Sequence, residues 1–127
     1  MVRPILKQIE NDVALNFLKE NEAEKEYIII KNKDKWFGLF LNNKLIGCWG
    51  VEIKKTYIKF GGFFILKEER GKGYGKLLAK YLIDLYGDKK IIAYCSPTTT
   101  HINCKYFNFK IVKKYKNTVC KIERKGI

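Results

Sequence analysis

The sequence predicts a single α/β (α+β) domain with a mixed, mostly antiparallel sheet of six to seven strands and three to four flanking helices. Three observations support this prediction. Strand-like and helix-like apolar patterns alternate along the whole chain, and a basic glycine-rich loop at residues 70–75 separates a strand-like run from an amphipathic helix. The third is the composition, 127 residues of which 46% are hydrophobic and 14% aromatic. One core of this size suits one domain, so we expect residues 1–127 to fold together.

The first half of the chain predicts a strand, a helix and a meander of three strands. Asn11 or Asp12 can cap the helix, and Asn42-Asn43 suits a tight hairpin because asparagine tolerates a positive φ. Residues 20–33 are charged except for a short apolar run, which leaves open a second short helix or a loop over a cleft. The predicted elements are a strand at 4–9, a helix with the stripe Val13, Ala14, Phe17 and Leu18, and strands at 36–41, 44–53 and 57–66.

The second half predicts a helix, a parallel strand, a further helix and a closing hairpin. The first helix begins near Lys76, and Gly87 supplies a stop for it. The uncharged run 91–95 indicates a buried strand parallel to the one before the glycine loop. The predicted elements are a helix with the face Leu77, Leu78, Tyr81, Leu82 and Leu85, the strand, a helix capped by Thr98, Thr99 or Thr100 and running to about Phe107, and strands at 109–115 and 118–124.

The glycine-rich loop predicts an anion site. A strand, a loop with exposed backbone N–H groups and a helix N-terminus together favour phosphate oxygens, so a phosphorylated small molecule is expected. The spacing of Gly71, Gly73 and Gly75 excludes the dinucleotide fingerprint, and no Ser or Thr follows Lys76 as a Walker loop would require. A glycine-rich turn that only caps a helix is the alternative.

Residues 70–75 fit the pattern Arg-x-x-Gly-x-Gly, where x is any residue. This pattern resembles the acetyl-coenzyme A loop of the GNAT (GCN5-related N-acetyltransferase) superfamily. The order of predicted elements is similar to that fold over essentially the whole chain. The resemblance implies that strands 4 and 5 diverge, that pantetheine lies between them, and that the backbone N–H of Ile65 polarises the thioester carbonyl. It also implies a set of coenzyme-binding residues: Phe63, Phe64, Ile65, Arg70, Gly71, Lys72, Gly73, Tyr74, Gly75, Lys76 and Asn103.

The proton-transfer residues are less well indicated. A second motif of the family, closer to the C-terminus, matches this sequence poorly. Cys104 occupies the position of the tyrosine that commonly protonates the departing coenzyme A thiolate, and Tyr106 lies two positions further on. Either residue, or solvent, would therefore supply the proton. For a general base, Glu52 and His101 are the candidates, because the fourth strand carries no carboxylate. Glu22, Glu24 and Glu26 are also near the cleft in sequence order, but such a cluster is more typical of a solvated face. An acid-poor cleft favours an anionic or neutral acceptor over a polycation.

The net charge of +13 is concentrated in the C-terminal half, where residues 105–125 carry eight Lys or Arg and one Glu. One coenzyme A would offset only part of this charge, and the remainder indicates either nucleic acid or a solvated lysine-rich surface. The chain has no apolar run long enough for a membrane span or a signal core, and its four cysteines form no C-x-x-C pair. We therefore expect a cytoplasmic protein with reduced thiols and no metal, either monomer or homodimer.

The sequence thus predicts an acetyl-coenzyme A-dependent N-acetyltransferase that works by direct attack of an amine in a ternary complex. The acceptor is expected to be an amine of nucleic acid or of a protein bound to it. Two alternatives remain: a catalytically weak module of the same fold that binds nucleic acid or a partner protein, and an enzyme that acetylates a small amine or a protein N-terminus.

Overall fold

The computed structural model describes residues 3–126; residues 1, 2 and 127 of the expected domain lie outside the described residues. Within these described residues, seven strands and three α-helices follow one another in an order that agrees with the prediction, and two short 3-10 helices lie between them. The α-helices and strands are β1 (Ile5–Ile9), α1 (Asn11–Glu20), β2 (Lys35–Leu41), β3 (Lys44–Ile53), β4 (Ile58–Ile65), α2 (Tyr74–Tyr86), β5 (Ile91–Cys95), α3 (Pro97–Tyr106), β6 (Lys110–Lys114) and β7 (Cys120–Arg124). The 3-10 helices are Ala23–Glu26 and Lys67–Glu69.

All seven strands form one sheet in the order β1-β2-β3-β4-β5-β7-β6, and every neighbouring pair is antiparallel except β4 with β5. The parallel pair is short. β4 and β5 pair only from Ile58 with Ile91 to Phe60 with Ala93, although β4 continues to Ile65. Beyond Phe60 the two strands separate, which confirms the divergence that the resemblance implied.

A bulge in β4 lies just where the strands separate. Cys48 pairs with Phe64 and Gly50 pairs with Gly61, so Gly62 and Phe63 together oppose the single residue Trp49. Gly62 has φ +78°, a left-handed conformation that glycine adopts without strain. The bulge increases the local twist of β4 and turns its end away from β5.

The bulge also changes which face of the sheet the β4 side chains point to, because it adds one residue to the alternation along the strand. Phe60 lies opposite Val51 and Phe64 opposite Cys48, so these two aromatic rings point to opposite faces. On one face Tyr86 of α2 contacts the edge of the Phe60 ring at 6.1 Å between centroids. On the other, Phe17 of α1 contacts Phe64 at 5.9 Å. The helices α1 and α2 therefore cover opposite faces, and the core lies on both.

Most helix ends differ from the predicted caps. Glu10, not Asn11 or Asp12, occupies the N-cap of α1, and the amide side chain of Asn11 instead bonds both backbone groups of Lys33. Ser96, not a threonine, caps α3 by accepting from the Thr99 backbone N–H. The helix α2 begins at Tyr74, two residues earlier than predicted.

The predicted apolar stripes of α1 and α2 are also partly wrong, because the predicted members Val13 and Leu85 are exposed while Ile83 is buried. Residues 20–33 form the Ala23–Glu26 3-10 turn followed by an irregular segment. Both strands of the closing hairpin are shorter than predicted, and all five residues of β6 are exposed. Among residues 3–126, none of the helices has the length and apolar character that crossing a membrane requires.

Replacing Gly62 with alanine should lower the free energy of unfolding by about 3 kcal/mol, because an alanine must adopt the left-handed conformation and also displace Trp36. The new Cβ would lie 2.4 Å from the Trp36 Cη2 atom. Gly71→Ala is the matched control: its φ is +80°, but a Cβ there meets nothing within 4 Å. We expect the control to cost only about 1 kcal/mol in urea denaturation at pH 7. Equal losses for the two variants would contradict the role given to the bulge.

Candidate active site

The gap between β4 and β5 opens into a cavity of about 680 Å³. Its walls are the end of β4, the glycine-rich loop, the start of α2, the end of β5 with the start of α3, the segment 25–33 and the turn between β6 and β7. The cavity therefore has two halves. One lies against the glycine-rich loop and α2, and we name it the donor half; the other lies against residues 25–33 and the start of β4, and we name it the acceptor half.

The donor half presents backbone N–H groups. Gly73 is the N-cap of α2 with φ +87° and no side chain caps the helix, so the first N–H groups of α2 have no intrahelical acceptor. A Cβ at Gly71 or Gly73 would meet nothing within 4 Å, so the loop is open to a ligand. The helix dipole and these free donors favour a group with negative oxygens.

A further donor comes from β4. The Leu66 N–H donates to the Ile46 carbonyl at 2.8 Å across the β3–β4 pair. Because backbone N–H groups alternate in direction along a strand, the Ile65 N–H points to the opposite edge, where β5 has already diverged. Ile65 lines the cavity, so its N–H is a candidate donor to a ligand in the gap.

Arg70 connects three parts of the cavity wall. Its Nε donates to the Ile65 carbonyl at 2.8 Å, and its Nη2 contacts the two Glu26 oxygens at 2.9 and 3.0 Å. Its guanidinium also lies 5.1 Å from the centre of the Phe64 ring. Arg70 thus joins the end of β4 to the 3-10 turn at residues 23–26, which positions the loop that follows it.

Glu52 lies among four lysines. Lys31 and Lys33 contact its Oε1 at 2.9 and 3.1 Å, while Lys54 and Lys59 approach Oε2 at 3.2 and 4.0 Å. Burial alone would raise the pKa of Glu52, but hydrogen bonds from the lysines outweigh it and hold that pKa at about 2. Glu52 does not line the cavity. A carboxylate that is so weakly basic is a poor proton acceptor, so this geometry does not favour Glu52 as the general base.

The other predicted proton-transfer residues also lie outside the cavity lining. The ring of the half-exposed Tyr106 stacks on Lys76 of α2, whose Nζ is 3.7 Å from the ring centre. Lys76 lines the cavity, so Tyr106 lies next to the cavity rim. His101 is exposed on α3. Burial, and to a smaller extent the thiol of Cys120, raises the pKa of the Cys104 thiol. Cys104 is partly buried and packs against the core.

Of the predicted coenzyme-binding residues, all but two line the cavity; Lys72 and Asn103 do not. Lys72 pairs with Glu69 at 2.7 Å, and Asn103 is fully buried with its amide donating to the Thr99 carbonyl. The prediction left open a loop over a cleft at residues 20–33 but named none of the lysines of the acceptor half. Its lining includes Lys31, Lys33 and Lys59, which the sequence offers only as ordinary surface residues, together with Tyr94 at the end of β5. Within residues 3–126, no group of three or more His, Cys, Asp or Glu side chains is arranged to hold a metal ion.

The chain matches the family model of the acetyltransferase (GNAT) family over residues 5–108. It belongs to this family, as the glycine loop and the order of elements predicted. No curated protein matches it in sequence.

Solved structures of the same fold are similar over nearly the whole chain. Escherichia coli ElaA is 12% identical, with a TM-score of 0.76 over 98% of this chain and 100% of that one. The ribosomal-protein-S18-alanine N-acetyltransferase of E. coli is 10% identical, with a TM-score of 0.71 over 95% and 92%. PaiA N-acetyltransferase from Thermoplasma acidophilum, in complex with coenzyme A, is 13% identical, with a TM-score of 0.65 over 97% and 99%. At these identities the likeness shows a shared fold.

Replacing Glu52 with glutamine should destabilise the protein by about 3 kcal/mol at pH 7, and the deficit should shrink as the pH falls toward 2. The folded pKa of about 2 lies below the ordinary value of 4.5, so ionised Glu52 stabilises the fold above pH 4.5 and this contribution is lost below it. Urea denaturation at pH 7 and pH 3 measures both values. Glu20→Gln is the control, because Glu20 is exposed and forms no ion pair within residues 3–126. A deficit as large at pH 3 as at pH 7 would contradict this account.

Proposed function

We propose that the protein is an acetyl-coenzyme A-dependent N-acetyltransferase. The observation that carries the proposal is the open gap between β4 and β5, where the glycine loop, the N-terminus of α2 and the Ile65 N–H all face one cavity. The pyrophosphate would bind at Gly71 to Gly75 and Lys76, and the pantetheine arm would lie in the gap. The coenzyme A in the solved structure of T. acidophilum PaiA supports this choice of donor.

The reaction is a direct transfer in a ternary complex. The lone pair of the acceptor amine attacks the thioester carbonyl carbon, a C–N bond forms, and the C–S bond breaks to release the coenzyme A thiolate. The Ile65 N–H stabilises the negative charge that develops on the carbonyl oxygen. The amine loses one proton to solvent, and the thiolate gains one from solvent or from the Tyr106 phenol at the cavity rim.

The charge of the cavity favours the neutral form of the acceptor amine, so that no carboxylate has to act as a base. Its two lining carboxylates, Glu26 and Glu69, are each paired, with Arg70 and Lys72. Lys31, Lys33 and Lys59 instead place positive charge beside the acceptor half. Nearby positive charge lowers the pKa of an incoming ammonium group, so a larger share of the acceptor is neutral and nucleophilic.

For the acceptor, an amine on nucleic acid or on a protein bound to it remains our candidate, and the closing hairpin supports it. Lys110, Lys113 and Lys114 lie on the exposed edge strand β6, with Lys116 in the following turn. Tyr115 stacks beside Tyr94 at 6.3 Å between ring centres, and Tyr94 lines the cavity. Lysines interleaved with exposed aromatic rings are suited to a single-stranded nucleic acid.

Replacing Gly73 with glutamate should weaken coenzyme A binding at least about 100-fold, because the side chain places bulk and negative charge where the pyrophosphate would sit. Calorimetric titration with acetyl-coenzyme A at physiological salt measures the effect. Gly73→Ala is the matched control, since it shares the backbone strain at φ +87° and its Cβ meets nothing within 4 Å. Binding by the control should stay within about 10-fold of the wild type. Full binding by Gly73→Glu would remove the loop assignment.

Replacing Lys113, Lys114 and Lys116 with glutamine should weaken binding of a 20-nucleotide single-stranded DNA and reduce the slope of its salt dependence by about 2, roughly 0.7 for each lost phosphate contact. Fluorescence anisotropy at several salt concentrations gives the slope. The control replaces three exposed lysines elsewhere, Lys19, Lys44 and Lys80, and removes the same charge. If both triple variants lose the same affinity and slope, binding depends on net charge alone and the hairpin has no special part.

A further inference from the structure

The acceptor half of the cavity contains a cluster of like charges that the fold holds together. We name Lys31, Lys33, Lys54 and Lys59, which surround Glu52, the lysine cluster. Lys31, Lys33 and Lys59 line the cavity, whereas Glu52 lies behind them. A single carboxylate balances one of the four ammonium charges, so the cluster keeps an excess of positive charge facing the cavity.

Packing against the sheet fixes the position of the Lys33 side chain. Gly50 and Gly61 face each other across β3 and β4, and the Lys33 side chain lies over this pair. A Cβ on Gly50 would lie only 2.2 Å from the Lys33 Cδ, and a Cβ on Gly61 would lie 3.2 Å from its Nζ. The Asn11 side chain fixes the Lys33 backbone from α1 through two hydrogen bonds, of 3.2 and 2.9 Å. Two glycines and an asparagine thus hold one lysine in place.

The burial of Lys33 has an electrostatic cost that the ion pair with Glu52 offsets only in part. Its side chain is 4% exposed, and burial lowers the pKa of Lys33 against the opposing effect of Glu52. Lys31 and Lys59 add like charge beside it. Lys59 is held between Glu52 and the Tyr94 ring, whose centre is 5.2 Å from its Nζ. An anion that enters the cavity would relieve this repulsion and accept the remaining ammonium hydrogens.

We propose that the lysine cluster is a subsite for an oxyanion group, a carboxylate or a phosphate, on the acceptor substrate. The inference rests on the proposed function, because it places the reacting amine at Ile65. The Lys33 Nζ lies beside Gly61, four residues before Ile65 on β4. A strand rises about 3.3 Å per residue and the bulge absorbs one of the four, so the anion and the amine are roughly 10 Å apart. The acceptor is therefore an amine that carries an anionic group at this distance.

The test measures binding of matched amines by calorimetry to the protein with and without saturating coenzyme A. The probes are 8-aminooctanoate and 6-aminohexyl phosphate, with 8-amino-1-octanol as the uncharged partner. We expect both anionic probes to bind at least 10-fold more tightly than the alcohol, and their ratio separates carboxylate from phosphate preference. The Lys31→Gln/Lys59→Gln double variant, which keeps the buried Lys33–Glu52 pair, should abolish that preference. The control double variant Lys44→Gln/Lys80→Gln should retain it.

Two results would overturn the subsite: equal binding of charged and uncharged probes by the wild type, or an undiminished preference in the Lys31→Gln/Lys59→Gln variant. The proposed function fails separately. If the protein shows the anion preference but binds no acetyl-coenzyme A, the subsite stands and the acetyltransferase assignment falls. If it binds coenzyme A and transfers acetyl groups without any preference for the anionic probes, only the subsite falls.

Discussion

The structure depends on the extra residue that β4 inserts opposite Trp49. Gly62 allows this bulge, because its left-handed backbone faces the Trp36 ring without a Cβ. The parallel pairing with β5 ends at Phe60, just before the bulge, and β5 itself ends at Cys95. No residue of β5 therefore lies opposite Ile65, and the β4–β5 ladder does not use its N–H. The bulge turns the end of β4 away from β5, so one glycine helps to open the gap that this N–H faces.

The parts of this arrangement that depend on local sequence could be predicted. The Asn42-Asn43 hairpin has positive φ at both residues, and the glycine loop lies between a strand and a helix as its pattern indicated. The parts that depend on contacts between residues far apart in the sequence could not be predicted. Arg70 bonds Glu26, 44 residues away, and Lys33 bonds Glu52, 19 residues away. Nothing near Lys33 distinguishes it from the other lysines, since the glycines that accommodate it lie on two strands whose register only the fold sets.

The lysine cluster also changes the expected acid–base chemistry. The sequence offered Glu52 as a base because it is among the few carboxylates near the predicted cleft. In the fold, Lys31, Lys33 and Lys54 become its hydrogen-bond donors, and they hold the pKa of Glu52 at about 2. The residue then stabilises the wall of the cavity instead of accepting a proton.

The two halves of the cavity consequently use different kinds of group. The donor half relies on backbone N–H groups of the glycine loop, α2 and Ile65, whose positions follow from the fold and not from side-chain identity. The acceptor half relies on lysine side chains, and each of these can be exchanged without altering the sheet except Lys33, which packs over Gly50 and Gly61. A site built from backbone N–H groups can thus be retained among proteins of very low sequence identity. In the subsite that we propose, selectivity for the acceptor would reside in a few side chains around Glu52, where substitution changes charge and leaves the gap intact.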